Sequence, residues 1–264
     1  MKIGFIGCGN MATAILKGIL KSGEVAAADI IASAKSDKTR EKIEKELGIQ
    51  KADTNAQVVE FADVVFLAVK PQFLEEVLDE IKDNVKEGQI FISIAPGKTL
   101  QWLGEHLGEG TKIIRTMPNT PAMVGEGMTA LCVNDLVTEE ETALAVKLCN
   151  TFGKSEVIPE HLMDAVVGVS GSSPAYVFMF LEAMADAAVA DGMPRAQAYK
   201  FAAQAVLGSA KLMLGTGKHP GELKDMVCSP AGTTIQAVRV LEEKGLRSAV
   251  IEAQLECVKK AKGM

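Results

Sequence analysis

Six residues near the start of the chain, Gly7-Cys8-Gly9-Asn10-Met11-Ala12, have the types and spacing that grip a pyrophosphate. They follow an apolar run at 2–6 and open a helical pattern, the strand-turn-helix setting in which a glycine hairpin binds a dinucleotide. Gly7 permits the tight turn, Gly9 keeps a Cβ away from the phosphates, and Ala12 lets the helix lie close to the strand. Backbone N–H groups at the helix start then face the anion. Without a ligand the same residues are a glycine-rich turn. An NAD-preferring chain carries an Asp or Glu about 20 residues further on, for the ribose 2′-hydroxyl. Here that stretch reads Ala32-Ser33-Ala34-Lys35-Ser36. A hydroxyl at Ser33 and a cation at Lys35 suit a 2′-phosphate, so NADPH is the preferred cofactor, with NADH as second choice. Two further strand ends, Ala68-Val69-Lys70-Pro71 and Ala95-Pro96-Gly97, face the same crevice. Asn55 offers a polar contact to the adenosine half, or a helix cap.

A second constellation lies far along the chain. A hydride acceptor needs placement over the cofactor, a hydrogen-bond partner at its heteroatom, and a dock for any carboxylate. The three histidines lack acidic or metal-binding companions and read as structural or exposed: His106 in a glycine-rich stretch after a helix, His161 beyond Pro159, His219 before Pro220. Ser229-Pro230-Ala231-Gly232-Thr233-Thr234 instead precedes a helical pattern with Ile235, Val238 and Leu241 on one face. A helix beginning after Thr234 exposes free N–H groups at its start, which make a carboxylate dock, and Ser229, Thr233 and Thr234 add hydroxyls. A plain structural N-cap uses the same residues.

The elements that must position these residues have a clear rhythm. Strand-like runs at 2–6, 29–32, 64–69, 89–94 and 112–117 alternate with helical segments at 11–22, 36–47 and 74–85, which predicts a doubly wound parallel sheet. A strand at 128–133, a helix at 138–152 and a strand at 155–158 complete this part. From 161 onward the pattern is helical, at 175–191, 195–214, 234–244 and 247–262, with breaks at Gly192, Gly215 to Gly217 and Gly245. The expected organisation is a dinucleotide-binding domain over 1–160 and an all-α domain over 161–264. Ala183, Met184, Ala187, Ala188, Ala202, Ala203, Ala205 and Gly208 place small residues on several sides of the later helices. Helices of that kind complete their core against a second chain, or form a self-contained bundle.

Composition narrows the class. The net charge of −6 is spread without basic blocks, against nucleic acid as partner. No stretch reads as long and apolar enough to span a bilayer, and the start lacks the pattern of a signal peptide, so no membrane is expected. Five scattered cysteines, with no Cys-x-x-Cys pair, suit reduced thiols in the cytoplasm and argue against a disulfide framework or a metal site.

The segment from Ser229 to Glu242 resembles the signature of the pyrroline-5-carboxylate reductase family. Other pieces agree along the whole chain: 4–11, Ala68 to Pro71, Met117-Pro118-Asn119-Thr120-Pro121, Ser170-Gly171-Ser172-Ser173-Pro174, and His219 to Asp225. The resemblance implies reduction of Δ1-pyrroline-5-carboxylate, a cyclic imino acid, to L-proline with NADPH or NADH, by homodimers that assemble further into decamers. It also implies that Gly7 to Ala12, Asn55 and Val69-Lys70-Pro71 bind cofactor. It puts Thr234 near the imine nitrogen as the catalytic residue, with Thr233 and the turn from Ser229 to Gly232 around the carboxylate. The chain departs from some relatives at Ser173, where they have glycine, and at Gly217, where they have an acid. A β-hydroxyacid dehydrogenase or imine reductase of the same two-domain build, with Lys200 or Lys211 as proton donor, is the alternative enzyme. A nucleotide sensor without catalysis is the alternative of another class.

Overall fold

The computed structural model describes residues 1–263. The chain forms two compact units, one of Met1–Ser172 joined by the end of the chain from Val258, the other of Ser173–Cys257.

The first unit is built in order from β1 (Ile3–Ile6), α1 (Asn10–Ser22), β2 (Ile30–Ser33), α2 (Asp37–Leu47), β3 (Gln50–Lys51), α3 (Asn55–Phe61), β4 (Val64–Leu67), α4 (Leu74–Ile81), β5 (Ile90–Ser93), α5 (Leu100–Leu107), β6 (Lys112–Met117), β7 (Gly127–Val133), α6 (Glu139–Cys149), β8 (Gly153–Val157) and α7 (Met163–Val166). Every residue of β1, β2, β4 and β5 is buried, as in strands covered by helices on both faces. One face packs Ile15, Leu16, Ile43 and Leu148 from α1, α2 and α6 on Phe5, Phe66 and Ile92. The other packs Val58, Leu78 and Leu103 from α3, α4 and α5 on Val65 and Phe91. The Phe5 and Phe66 rings stack at 4.5 Å between centroids.

The strand order is β3-β2-β1-β4-β5-β6-β7-β8. β1 to β6 are parallel, and the chain leaves β1 toward β2 but later returns to β4 on its other side. That reversal opens a crevice at the carboxyl ends of β1 and β4. Beyond this parallel part, β7 runs antiparallel to β6, with β8 parallel to β7. Only a 3-10 turn, Thr120–Val124, lies between β6 and β7, too little chain for the crossover that a parallel pair needs. Sequence periodicity ran β4 and α4 too far, to 69 and 85. The strand stops at Leu67, and α4 ends at Ile81 and passes into a 3-10 turn. His106 lies within the last turn of α5 rather than after a helix, its ring stacked on Trp102 at 3.9 Å.

The second unit contains α8 (Ser173–Ala190), α9 (Arg195–Thr216), α10 (Pro220–Val227), α11 (Thr233–Glu243) and most of α12 (Leu246–Lys262). α8 and α9 pack on one another. Gly217 ends α9 in the left-handed region, with its N–H on the Met213 carbonyl, a task that suits glycine over the acid of some relatives. α10 was not expected. Its start is fixed by Pro220 in the first turn and by His219, whose Nδ1 accepts the Gly221 N–H at 3.1 Å.

Among the described residues of this unit only Ala185, Ala198 and Ala202 are buried, while Phe178, Met179, Phe201 and Leu214 are 63%, 68%, 68% and 84% exposed. One expectation needs correction here. The helical run Glu160–Ala190, of 31 residues, holds an 18-residue stretch with a mean hydropathy of 1.2 and is long and apolar enough by length and composition to cross a bilayer.

Candidate active site

The hairpin after β1 is held by backbone. Gly7 has φ +94°, and a Cβ on it would come within 2.8 Å of the Ala68 carbonyl oxygen, so the turn is glycine's by conformation and by packing against the end of β4. Gly9 differs. A Cβ there would meet no protein atom within 4 Å, so nothing in the fold demands glycine. The space above Gly9 opens into a cavity of about 630 Å³, lined by Gly7, Cys8, Gly9, Ser33, Lys35, Asn55, Ala68, Val69 and Lys70. Gly9 is also the N-cap of α1 and makes no side-chain cap bond, so the first N–H groups of that helix point at an open, glycine-floored cradle. A dinucleotide pyrophosphate fits there.

The cavity gathers most of the expected cofactor residues and leaves some outside. Asn10 lines an adjoining hollow with Lys38 and Thr39. Met11 packs against the core, Ala12 and Ala95 are buried, and Pro71 begins a 3-10 turn; none of these lines the cavity, nor do Pro96 and Gly97. Ser33 is 4% exposed, and its hydroxyl donates to Asn55 Oδ1 at 2.6 Å, while Asn55 Nδ2 donates to Glu80 at 2.7 Å. The Ser33 proton is therefore spent on Asn55, and the pair stiffens the cavity wall. Asn55 is the first residue of α3, capped by the Thr54 hydroxyl, so it does not itself cap the helix.

Sequence reading missed two residues that line this end of the cavity, Thr39 and Arg40. Ser36 caps α2 through Thr39 N–H, which places Thr39 and Arg40 on the first turn beside the end of β2. Arg40 Nε donates to the Ala34 carbonyl at 2.7 Å, and Nη1 lies 3.7 Å from Asp37. The signal was available in Ser36 followed by a helical pattern, because an N-cap fixes which residues face the preceding strand end. Lys35 lies over the Phe73 ring at 5.2 Å.

In the second unit the turn from Ser229 to Gly232 is closed by the Gly232 N–H on the Ser229 carbonyl at 3.1 Å. Ala231 has φ +57°, the one non-glycine residue in the left-handed region among those described, at a cost of about 1 kcal/mol. A Cβ on Gly232 would fall 2.4 Å from Ser229 Oγ, so the serine hydroxyl lies directly against the glycine. α11 starts at Thr233, one residue earlier than expected, with Gly232 as its N-cap and no side-chain cap bond. The N-cap is thus glycine rather than a hydroxyl residue, which leaves the N–H groups of Thr233, Thr234 and Ile235 as the free donors of the first turn.

Burial pushes Cys149 up to about 12, and burial with the Glu160 carboxylate does the same to Cys132, so both are neutral thiols at physiological pH.

Comparison with known proteins places this geometry. Residues 160–264 match the family described as pyrroline-5-carboxylate reductase dimerisation, and residues 2–97 match one described as NADP oxidoreductase, coenzyme F420-dependent. Over 98% of its length the chain is 56% identical to the pyrroline-5-carboxylate reductase of Escherichia coli (strain K12), covering 97% of that protein. The chain belongs to the pyrroline-5-carboxylate reductase family. Solved reductases of that name agree in fold. The one from Coxiella burnetii has a TM-score of 0.93 at 35% identity, with 99% of this chain and 97% of that one covered. That of Plasmodium falciparum, solved with NADP bound, has a TM-score of 0.89 at 29% identity, covering 100% and 97%. In a pyrroline-5-carboxylate reductase the exposed apolar helices of the second unit have a plain meaning. They are the dimerisation region, and the apolar run Glu160–Ala190 overlaps it.

Proposed function

We propose that this protein reduces Δ1-pyrroline-5-carboxylate to L-proline, the last step of proline biosynthesis, with NADPH preferred over NADH. The observation that carries the reading is the start of α11: a glycine N-cap leaves the N–H groups of Thr233, Thr234 and Ile235 open, beside hydroxyls that the fold does not spend. That surface suits a small carboxylate carrying a polar ring atom. The division of labour follows 1–160 for the dinucleotide and 161–264 for substrate and assembly, with catalysis in a cytoplasmic homodimer that assembles into a decamer.

Bound NADPH supplies hydride from its nicotinamide ring. The chain supplies placement. Gly9 and the start of α1 seat the pyrophosphate. Arg40, Thr39 and Lys35 meet the 2′-phosphate, with no carboxylate at the end of β2 to favour a free 2′-hydroxyl. Asn55 orders this end through Ser33, and Ala68, Val69, Lys70, Ala95, Pro96 and Gly97 form the strand ends beneath the ring. At α11 the open N–H groups hold the carboxylate, and the Thr234 hydroxyl accepts the N–H of the protonated imine. The ring carbon of that cation is electrophilic without a strong protein acid; it takes the hydride, the C=N double bond becomes a single bond, and the nitrogen keeps its proton. A mechanism of this kind needs no histidine. It is also why the dehydrogenase alternative, with its proton-donating lysine, gives way to a reductase.

The test is NADPH consumption with pyrroline-5-carboxylate, followed by absorbance, in the whole chain and in Thr234→Ala. We expect steady turnover by the parent and a loss of about a hundredfold in kcat for the variant, with NADPH binding retained. Turnover of the variant at the parent's rate would remove Thr234 from the site.

A further inference from the structure

Two motifs in the sequence have no task in the scheme above, Met117 to Pro121 and Ser170 to Pro174. The structure brings them together. Asn119 is 8% exposed; its Oδ1 accepts the Met128 N–H at 2.8 Å, and its Nδ2 donates to the Ser170 carbonyl at 3.0 Å. One side chain therefore ties the end of β6 to the start of β7 and to a segment 51 residues away.

That segment is a π-helical turn, Val167–Gly171, in which the Ser172 N–H reaches back five residues to the Val167 carbonyl at 2.8 Å. Such turns insert a residue into a helix and recur at functional sites. Pro174 explains the vacancy that Asn119 fills. In a regular helix the N–H four residues on would satisfy the Ser170 carbonyl, and proline has none to give. The turn touches the strand end at a second point: a Cβ on Gly171 would lie 2.9 Å from Met117 Cε, so glycine there makes room for the last side chain of β6. Beyond Met117 the contact continues to the neighbouring strand. The Thr116 hydroxyl donates to the Ser93 carbonyl at 3.0 Å, and the Ser93 hydroxyl accepts the Ala95 N–H at 3.3 Å.

We infer that Asn119 is a positioning residue for the cofactor's nicotinamide end, holding the carboxyl ends of β6 and β5 in register through the Ser170 carbonyl of the π turn. The inference rests on the functional reading above. With pyrophosphate at Gly9 and the adenosine half over the end of β2, the nicotinamide half extends over the ends of β4, β5 and β6, which are parallel and finish on one edge. Hydride transfer depends steeply on that placement, so a fixed strand end matters more to rate than to stability.

Asn119→Asp removes one donor and keeps the acceptor for Met128. We expect it to bind 2′,5′-ADP, the adenosine half alone, as the parent does, but to bind NADPH about fivefold more weakly and to lose part of the fluorescence gain of bound nicotinamide. With pyrroline-5-carboxylate, kcat falls about tenfold, and the kinetic isotope effect from deuterated NADPH rises toward its limiting value as hydride transfer becomes slow. Should Asn119→Asp not fold, Pro174→Ala gives the Ser170 carbonyl a helical N–H that competes with Asn119, and the same split between NADPH and 2′,5′-ADP is expected in milder form. Loss of thermal stability alone, with NADPH binding, kcat and isotope effect unchanged in the folded variant, overturns the inference. If the parent binds NADPH but does not reduce the imine, the functional reading falls, and the two binding measurements still decide the role of Asn119.

Discussion

Two glycines of one hairpin have opposite reasons to be glycine. Gly7 sits at φ +94° with the Ala68 carbonyl where a Cβ would go, whereas Gly9 has free space around that position. Gly7→Ala should therefore lower the melting temperature by several degrees, with strain and a backbone clash both acting on the folded state. Gly9→Ala should leave the melting temperature of the ligand-free protein unchanged and weaken NADPH about tenfold, because only the pyrophosphate needs the room. Thermal unfolding with and without NADPH separates the two. Arg40 carries a different contrast. Its Nε is anchored on the Ala34 carbonyl and its Nη1 lies 3.7 Å from the Asp37 carboxylate, which together hold the guanidinium at the end of β2. Arg40→Ala should cost about tenfold in KM for NADPH and leave KM for NADH within twofold, as read from steady-state kinetics with each cofactor.

At the scale of elements, α6 shows how local chemistry fixes a boundary. Thr138 and Glu141 form a reciprocal capping box, and Lys112 of β6 adds an ion pair to Glu141 at 2.6 Å. Partial burial pushes the Glu141 carboxyl up, but the hydrogen bonds from Lys112 and the Thr138 N–H and the charge of Lys112 outweigh it and hold the group below its usual value. A carboxylate depressed in the folded state stabilises above its unfolded pKa, near 4.5, and loses that contribution as pH falls through the folded value. Glu141→Gln keeps the cap and loses the charge. Its melting temperature should lie about 1–2 °C below the parent's at pH 7, as for a partly buried pair, with the gap shrinking below pH 4.5 and closing in stronger acid.

The same helix shows what a sequence makes legible. The Thr138-to-Glu141 spacing announces the start of α6, and the unbroken apolar runs of β1, β4 and β5 announce a sheet covered on both faces, because these signals are local. The reversal at β7 is not local: nothing within Gly127–Val133 states which way it pairs, and the short link before it decides. The glycine hairpin, and the segment from Ser229 to Thr234, were readable as residue types in sequence. The α2 residues Thr39 and Arg40 required knowing where the first turn of that helix points. The bond from Asn119 to Ser170 spans residues whose pairing no periodicity encodes, and only the missing N–H of Pro174 hints that the Ser170 carbonyl needs a partner.

The whole molecule is organised around an imbalance between its two units. The first buries complete strands and has helices on both faces of its sheet. The second has three buried alanines among its described residues, and exposes Phe178, Met179, Phe201 and Leu214 by more than half. At roughly 25 cal/mol per Å² of apolar surface, leaving four such side chains in water forgoes several kcal/mol, comparable with the net stability of a domain. A helical unit of this composition therefore holds its fold by association, in keeping with its match to the family's dimerisation region. Stability then depends on protein concentration. The melting temperature should rise by a few degrees for each tenfold increase in concentration, and the mass in solution should be an even multiple of 28.0 kDa by light scattering. Phe201→Glu should halve that mass or reduce it to the monomer, with NADPH consumption falling in parallel, since a charge cannot be buried unpaired in an apolar contact. An assembly of unchanged mass with Phe201→Glu, and a melting temperature flat with concentration, would mean that this helical unit stands alone.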